Sequence, residues 1–350
     1  MALADHCRAG DLVALRAYCS QASVTAAQVR EARALRWACT NGHLEVARWL
    51  QQAFQLTARD ARTSDNLAFR MACRHGHLEV ARWLQQTFQL TALDARAMDN
   101  SALIWACGYG QLDVARWLQQ TFNLTATDAR SEGNWALRNA CASGHLEVAR
   151  WMQQTFQLTA ADAQSMNTFT LTWACVRGHL EVARWLQRTF QLTAPDARAL
   201  DNYALRGACE FGYVEVARWL QQTFQLTVID ARSEDNDALY RACENGHLEI
   251  LRWMQRTWGI PPEVLAAASG ISEDAENAPC AAYLNGLRAL RWSPRTHADF
   301  PLHARRLALL LLLVCQRLTR EPGALPPLPP ELWHHLLSYL PAYLPAYLPA

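Results

Sequence analysis

Lysine is absent: the 33 basic residues of this 350-residue chain are all arginine. That excludes the chemistries that need an ammonium at one fixed place, among them the Walker A phosphate loop, the kinase strand lysine and Schiff-base catalysis. Charge is scarce too, with 19% of residues charged and a formal net charge of +1. Non-specific phosphate binding needs a basic excess, so nucleic acid is not an expected partner, and an arginine row used that way would show steep salt dependence. Long apolar runs are also missing. The longest, 307–315, follows Arg305 and Arg306 and falls well short of the roughly 20 residues that span a bilayer, so a buried helix is expected there and no membrane. Residues 1–10 carry Asp5, His6 and Arg8 where a secretory signal would have its apolar core, so a cytoplasmic or nuclear location is expected, in the host cell were the chain viral.

Paired cysteine signals are lacking as well. The 11 cysteines are odd in number with no Cys-x-x-Cys pair, which speaks against a disulfide framework or a zinc site and fits a reducing compartment. No Gly-x-Ser-x-Gly, His-Glu-x-x-His or Gly-x-Gly-x-x-Gly occurs, so neither catalysis nor a cofactor or metal is expected. The sequon at Asn123 would matter only in a secreted chain. With 51% hydrophobic residues the chain can nevertheless bury a large core.

What is present is repetition. Gly42, Gly76, Gly110, Gly144, Gly178, Gly212 and Gly246 are each 34 residues apart, and so are the tryptophans from Trp49 to Trp253 and the cysteines from Cys39 to Cys243. A fixed period of this length marks a stacked repeat array. Before it, Cys7, Gly10 and residues 24–30 form an eroded copy two residues short, as expected of a capping repeat at 1–33 ahead of regular repeats at 34–260.

One unit runs from Asp99 to Asp128. Asn100 is a plausible N-cap for a first helix containing Ala102, Leu103, Ala106 and Cys107, and Gly110 ends it. A second helix follows from Leu112 to about Thr121, with Leu112, Val114, Ala115, Trp117 and Leu118 on one face and Asp113, Arg116 and Gln120 on the other. Acid and arginine three apart on that second helix predict solvated i,i+3 pairs. Then comes Thr125 with Asp128, a spacing that recurs at Thr91/Asp94, Thr159/Asp162, Thr193/Asp196 and Thr227/Asp230. It is that of a capping box, which predicts a short third helix in each connector. The repeated tryptophans are expected to pack structurally, and the repeated cysteines to be buried free thiols, too far apart at 8 to 10 Å for disulfides. His43, His77, His145, His179 and His247 share one slot with Gln111 and Tyr213, so capping and turn hydrogen bonds are expected of them in place of metal binding.

These blocks, with Gly-His-Leu-Glu-Val recurring at 42, 76, 144 and 178 and its relative at 242–250, resemble ankyrin repeats. The resemblance implies an all-α helical repeat solenoid with a helical C-terminal extension, working as a protein-binding module. The usual Thr-Pro-Leu-His is replaced here by forms such as Asn202-Tyr203-Ala204-Leu205, and the period is one residue longer than the family's, so its hairpin finger is not assured.

Comparing copies separates what the stack needs from what is free to vary. With Ser101 at 0° and about 100° per residue, the repeated Ala102, Leu103, Ala106 and Cys107 fall between about 100° and 240°. The variable Ser101, Ile104, Trp105, Gly108 and Tyr109 fall on the opposite face. Aromatic residues and arginine supply most interface hot spots. The candidate partner-binding residues are therefore Trp135, Phe169 and Tyr203, expected to form a stripe of roughly 20 Å, with Arg70, Arg138 and Arg206 in a neighbouring row and Trp105 and Trp173 in another. The competing reading is that these large residues thicken packing between inner helices. A monomer is expected.

After Trp258 the register is lost, and a helical cap with a Pro-rich spacer is expected over 261–324. The tail at 325–350 contains Leu328-Pro329-Pro330-Glu331-Leu332-Trp333-His334-His335-Leu336-Leu337-Ser338-Tyr339-Leu340. It resembles the opening of an F-box, placed as in the tails of poxviral ankyrin proteins, and its Leu-Pro-rich end is also similar to suppressor-of-cytokine-signalling boxes. The F-box resemblance implies that Leu328, Pro329, Glu331, Leu332, Leu336, Leu337 and Leu340 recruit the linker subunit of a cullin ubiquitin ligase while the repeats select its substrate. The alternative is a non-catalytic scaffold whose tail caps the stack. Absent lysine would spare such an adaptor its own ubiquitination, although GC-rich coding favours arginine over lysine in any case.

Overall fold

The computed structural model describes residues 3–259 together with 264, 279, 280, 282 and 283, and within 166–169 the backbone alone. The cap, spacer and tail expected over 261–350 lie almost wholly outside the described residues, the seven expected ligase-recruiting residues included. The chain divides into two compact units, Met1–Leu192 and Thr193–Ala350. Among the described residues every regular element is a helix, in the repeated pairs of an all-α solenoid. The connectors are helical too, and no hairpin finger occurs among the described residues.

In the first unit the repeat is clearest from 97 to 129: an inner helix Ala97–Gly108, an outer helix Leu112–Phe122 and a connector Ala126–Ala129. Gly110 turns the chain at φ 76, and Gln111 N–H closes onto Ala106 O at 2.8 Å, a bond that caps a helix C-terminus. The outer helix buries Val114, Ala115, Leu118 and Phe122 and turns Asp113, Arg116 and Gln120 to solvent. Asn123 at φ 50 ends it, and Leu124 N–H returns to Gln119 O at 3.1 Å. Thr125 N–H then donates to Asp128 Oδ2 at 2.8 Å in the capping box that opens the connector. The eroded first copy also folds as three helices, Leu3–Ala9, Leu12–Gln21 and Ala26–Glu31.

Three findings differ from expectation. Asn100 does not cap the inner helix: residues 98–100 are all left-handed, at φ 52, 54 and 64. Asn100 is buried there and its Oδ1 accepts no hydrogen bond. The same turn occurs at 64–66 and 132–134 in this unit, and at 200–202 and 234–236 in the second. Left-handed backbone costs roughly 1–2 kcal/mol per non-glycine residue, so the turn needs support. Arg70 supplies it at 64–66, donating to Asp65 O at 2.7 Å and Ser64 O at 3.0 Å. Ser131 donates to Asp99 O at 3.1 Å and Ser165 to Gly133 O at 3.1 Å, each from the following repeat.

Second, the histidines cap across the repeat boundary: each bonds a carbonyl in the last turn of the preceding inner helix and not the start of its own helix. His43 Nε2–H donates to Arg8 O at 2.8 Å and His77 Nε2–H to Thr40 O at 3.1 Å. Each ring lies on the turn glycine of the repeat before it, so a Cβ on Gly144, which sits at φ 80, would come within 2.6 Å of His179 Nδ1.

Third, an ion-pair ladder joins the connectors. Arg62 pairs with Asp94, Arg96 with Asp128 and Arg130 with Asp162, at 2.6 to 2.8 Å through Nε and at 3.0 Å through Nη2. Arg30 pairs with Asp60 at the start of this unit, and Arg198 with Asp230 in the second. Bidentate forks of this kind hold geometry as well as charge. Each aspartate also accepts its own capping-box bonds. For Asp128 the Arg96 guanidinium holds the carboxyl below the usual range against the opposing effect of burial, with the Thr125 bonds adding to it.

The repeated tryptophans are half-buried on the outer helices, each edge-on to the phenylalanine five residues later, as Trp151 is to Phe156 at 5.5 Å. Trp253, in the second unit, is fully packed at 8% exposure, 4.9 Å from the Trp258 ring. Outer-helix i,i+3 pairs form at Glu45/Arg48, Glu147/Arg150, Glu181/Arg184 and Glu215/Arg218. The described cysteines are free and buried, and burial pushes the Cys209 thiol up to about 12, which leaves it a neutral packing group.

Candidate functional site

The inner helices Thr63–Arg74, Ala97–Gly108 and Ser131–Ala142 of the first unit lie side by side. Ala102, Leu103, Ala106 and Cys107 are completely buried, as the angular arithmetic predicts. Ser101 and Ile104, expected on the free face, are buried as well. An inner helix has a neighbour on both flanks, so the arc left open is narrower than half the wheel. What stays open is the helix start and its last turn: Met98 at 57% exposure, Tyr109 at 46%, and Trp135 at 44%.

Two hollows meet at Trp105. One, of 280 Å³, lies between Trp105 and Trp135, with Met98 and Ile104 as further apolar lining, the exposed carboxylates Asp99 and Glu132, and the buried Arg70 and Ser101. The other, of 540 Å³, is lined by Trp105, Gly108, Tyr109, Asn139, Ser143 and His145. Trp105 is held by cations from the preceding inner helix, the Arg70 and Arg74 guanidiniums lying 5.1 and 5.8 Å from its ring centre. Arg74 also donates to Tyr109 Oη and covers that ring at 4.3 Å. Burial draws the His145 imidazole below its ordinary value, with the Gly108 carbonyl opposing, so the second hollow has a neutral wall at pH 7. Rigid aromatic walls beside exposed carboxylates suit an apolar side chain next to a cationic one.

The arginine row belongs to the turns. Arg70 is only 6% exposed, with its guanidinium on Ser64 O, Asp65 O and Ser101 Oγ, which leaves it little surface to offer a partner. Arg138 Nη2 likewise reaches Glu132 O at 3.4 Å. In the second unit Arg206 Nη2 reaches Leu200 O at 3.3 Å, while Nη1 pairs with Asp237 at 2.9 Å. Its guanidinium lies 5.4 Å from the half-buried Tyr203 ring. In the first unit Trp173 is half-buried with Arg177 over it at 5.7 Å. Of the expected stripe, Trp135 lies in the first unit and Tyr203 in the second, and the Phe169 side chain lies outside the described residues. The candidate residues left out Met98 and Tyr109 in the first unit, although Tyr109 stood on the variable face, and Phe211 and Tyr213 in the second, whose rings lie 6.4 Å apart and are open to solvent. Their signal was available: they are large apolar residues at positions that vary between copies.

Among the described residues no group of three or more His, Cys, Asp or Glu could hold a metal ion, and no helix is long and apolar enough to cross a membrane. No curated protein matches the sequence. Among solved structures, an ankyrin repeat family protein from Legionella pneumophila is similar at 21% identity, over 63% of this chain and 68% of that one, with a TM-score of 0.33. The family model described as ankyrin repeats matches residues 35–128 and 171–262. That is more than half of the chain, and it includes the inner helix Ala97–Gly108, the turn glycine Gly110 and the outer helix Leu112–Phe122: the chain belongs to the ankyrin-repeat family.

Proposed function

We propose that this protein recognises another protein through the inner-helix face of its first unit, with Trp105 and Trp135 as anchors. Ankyrin repeats are protein–protein interaction modules and typically non-catalytic. The observation that carries the reading is Trp135: a large ring left 44% exposed beside a hollow, where the repeat has no packing need for it. The hollow's carboxylates, Asp99 and Glu132, favour a partner segment that sets a basic residue next to its apolar anchor. Proteins captured from cell extract by the full chain should be lost with Trp135→Ala and retained with Arg150→Gln on an outer helix, both variants melting close to the parent. Equal capture by both variants would remove the face from consideration.

The finer reading is a substrate adaptor of a cullin ubiquitin ligase. Support comes from the F-box-like segment at 328–340 and from the absence of lysine, which leaves the adaptor no side-chain ammonium for ubiquitin. The full chain should recover a cullin-linker subunit that a chain ending at Gly323 does not. Identical recovery by the two, without any ligase subunit, would leave a scaffold.

A further inference from the structure

The first inter-repeat turn of the chain is two residues short, and a cavity lies beside it. In the next turn, six positions separate the ladder arginine Arg62 from the buried Ala68, with left-handed 64–66 between them. Here four positions separate Arg30 from the buried Ala34, and Arg33 alone is left-handed, at φ 51. The space left open is 470 Å³, within the range of small-molecule sites. Leu35, Leu56 and Ala68 give it an apolar wall, and Arg33, Arg36 and Arg59 give it cations.

The charges are unbalanced. The one lining carboxylate, Asp60, is already held by Arg30 at 2.6 Å and by the Thr57 N–H at 2.7 Å. Among the described residues none of the other three arginines pairs with an acid. Burial, then the nearby Arg33 and Arg8, disfavour the charged form of Arg36, so an anion placed there would relieve the repulsion. Arg33 is exposed and lines the cavity from left-handed backbone, where a long side chain is strained and glycine would not be.

We propose that the cavity binds an amphipathic organic anion, with its apolar body against Leu35, Leu56 and Ala68 and its carboxylate, sulfonate or phosphate group against Arg33, Arg36 and Arg59. The guanidinium fork matches all three head groups. The site lies at a different turn from the Trp105 face and stands independently of that function.

The test is fluorescence titration of the full chain with 8-anilinonaphthalene-1-sulfonate, beside its uncharged analogue N-phenyl-1-naphthylamine and inorganic sulfate. The sulfonate dye should bind saturably, the neutral dye and sulfate each at least about tenfold more weakly, since neither supplies both halves of the contact. Arg33→Gly and Arg59→Gln should each weaken the sulfonate dye at least about threefold, and the pair at least about tenfold. Arg33→Gly should at the same time raise Tm, a combination that a purely structural arginine would not produce. Arg150→Gln is the control. Equal binding of charged and neutral dyes, or affinity in the double variant within about twofold of the parent, would overturn the proposal.

Discussion

At the scale of single residues, Asp128 accepts from the Thr125 N–H, the Thr125 hydroxyl and the Arg96 guanidinium at once. Asp128→Ala should therefore cost more than Arg96→Ala. The first removes a helix cap worth about 1 kcal/mol together with the ion pair. The second leaves the capping box intact and deletes a solvent-facing arginine, about 0.5–1 kcal/mol. Urea unfolding of both variants checks the order, and an equal loss would make the ladder, not the cap, the dominant part. Gly144→Ala combines left-handed backbone with the His179 ring. It should cost more than the roughly 1–2 kcal/mol of backbone strain alone, and adding His179→Ala should recover the steric part only.

At the scale of elements, the outer and inner helices use tryptophan for opposite purposes. Trp151→Ala removes a half-buried ring from its edge contact with Phe156, so about half of the roughly 3 to 5 kcal/mol of a fully buried tryptophan is expected. Trp253→Ala should reach the full range, and Trp135→Ala should fall below 1 kcal/mol, roughly the loss at an exposed site. Thermal melts of the three rank the faces. Helix pairs, the buried stripe and the connector helices were legible in the sequence because each depends on residues within about four positions of one another. The ladder was not, since its partners are 32 apart, although the recurring Asp-Ala-Arg at 94–96, 128–130 and 196–198 carried the signal. The left-handed turns were hidden for a different reason. Their backbone is held by side-chain bonds, from arginines five or six residues on and from serines of the next repeat, and residues such as Met98 and Leu200 have no local preference for it.

At the scale of the whole molecule, these repeated groups titrate together. Burial draws the His77, His145 and His179 imidazoles below their ordinary value, so the folded chain holds them neutral. As pH falls below about 6.5 the unfolded chain gains protons that the folded one refuses, and stability declines. Asp94, Asp128, Asp162 and Asp230 are held below the usual carboxylate range, their arginine and threonine bonds outweighing burial. Their contribution is present above about pH 3.9 and is lost as pH falls through the lower folded values. Tm should thus fall in two steps on acidification. His→Gln at 77, 145 and 179, copying the natural Gln111, should flatten the first step and leave the second. An unchanged first step would place its origin elsewhere.

The ladder also sets the unit in which such a chain can change length. Excising 97–130 would bring Ser131 directly after Arg96 and leave Arg96 the same 32 residues ahead of Asp162 that it now stands ahead of Asp128. The rung would re-form with a new partner, and Gly76 would receive the His145 ring in place of Gln111. A cut of any other length would change that spacing, which is 32 at every rung but the first, where Arg30 meets Asp60 at 30. Loss or gain of whole repeats therefore keeps each remaining rung at its present spacing. The first turn, two residues shorter than the rest, lies beside the 470 Å³ cavity and keeps its rung all the same.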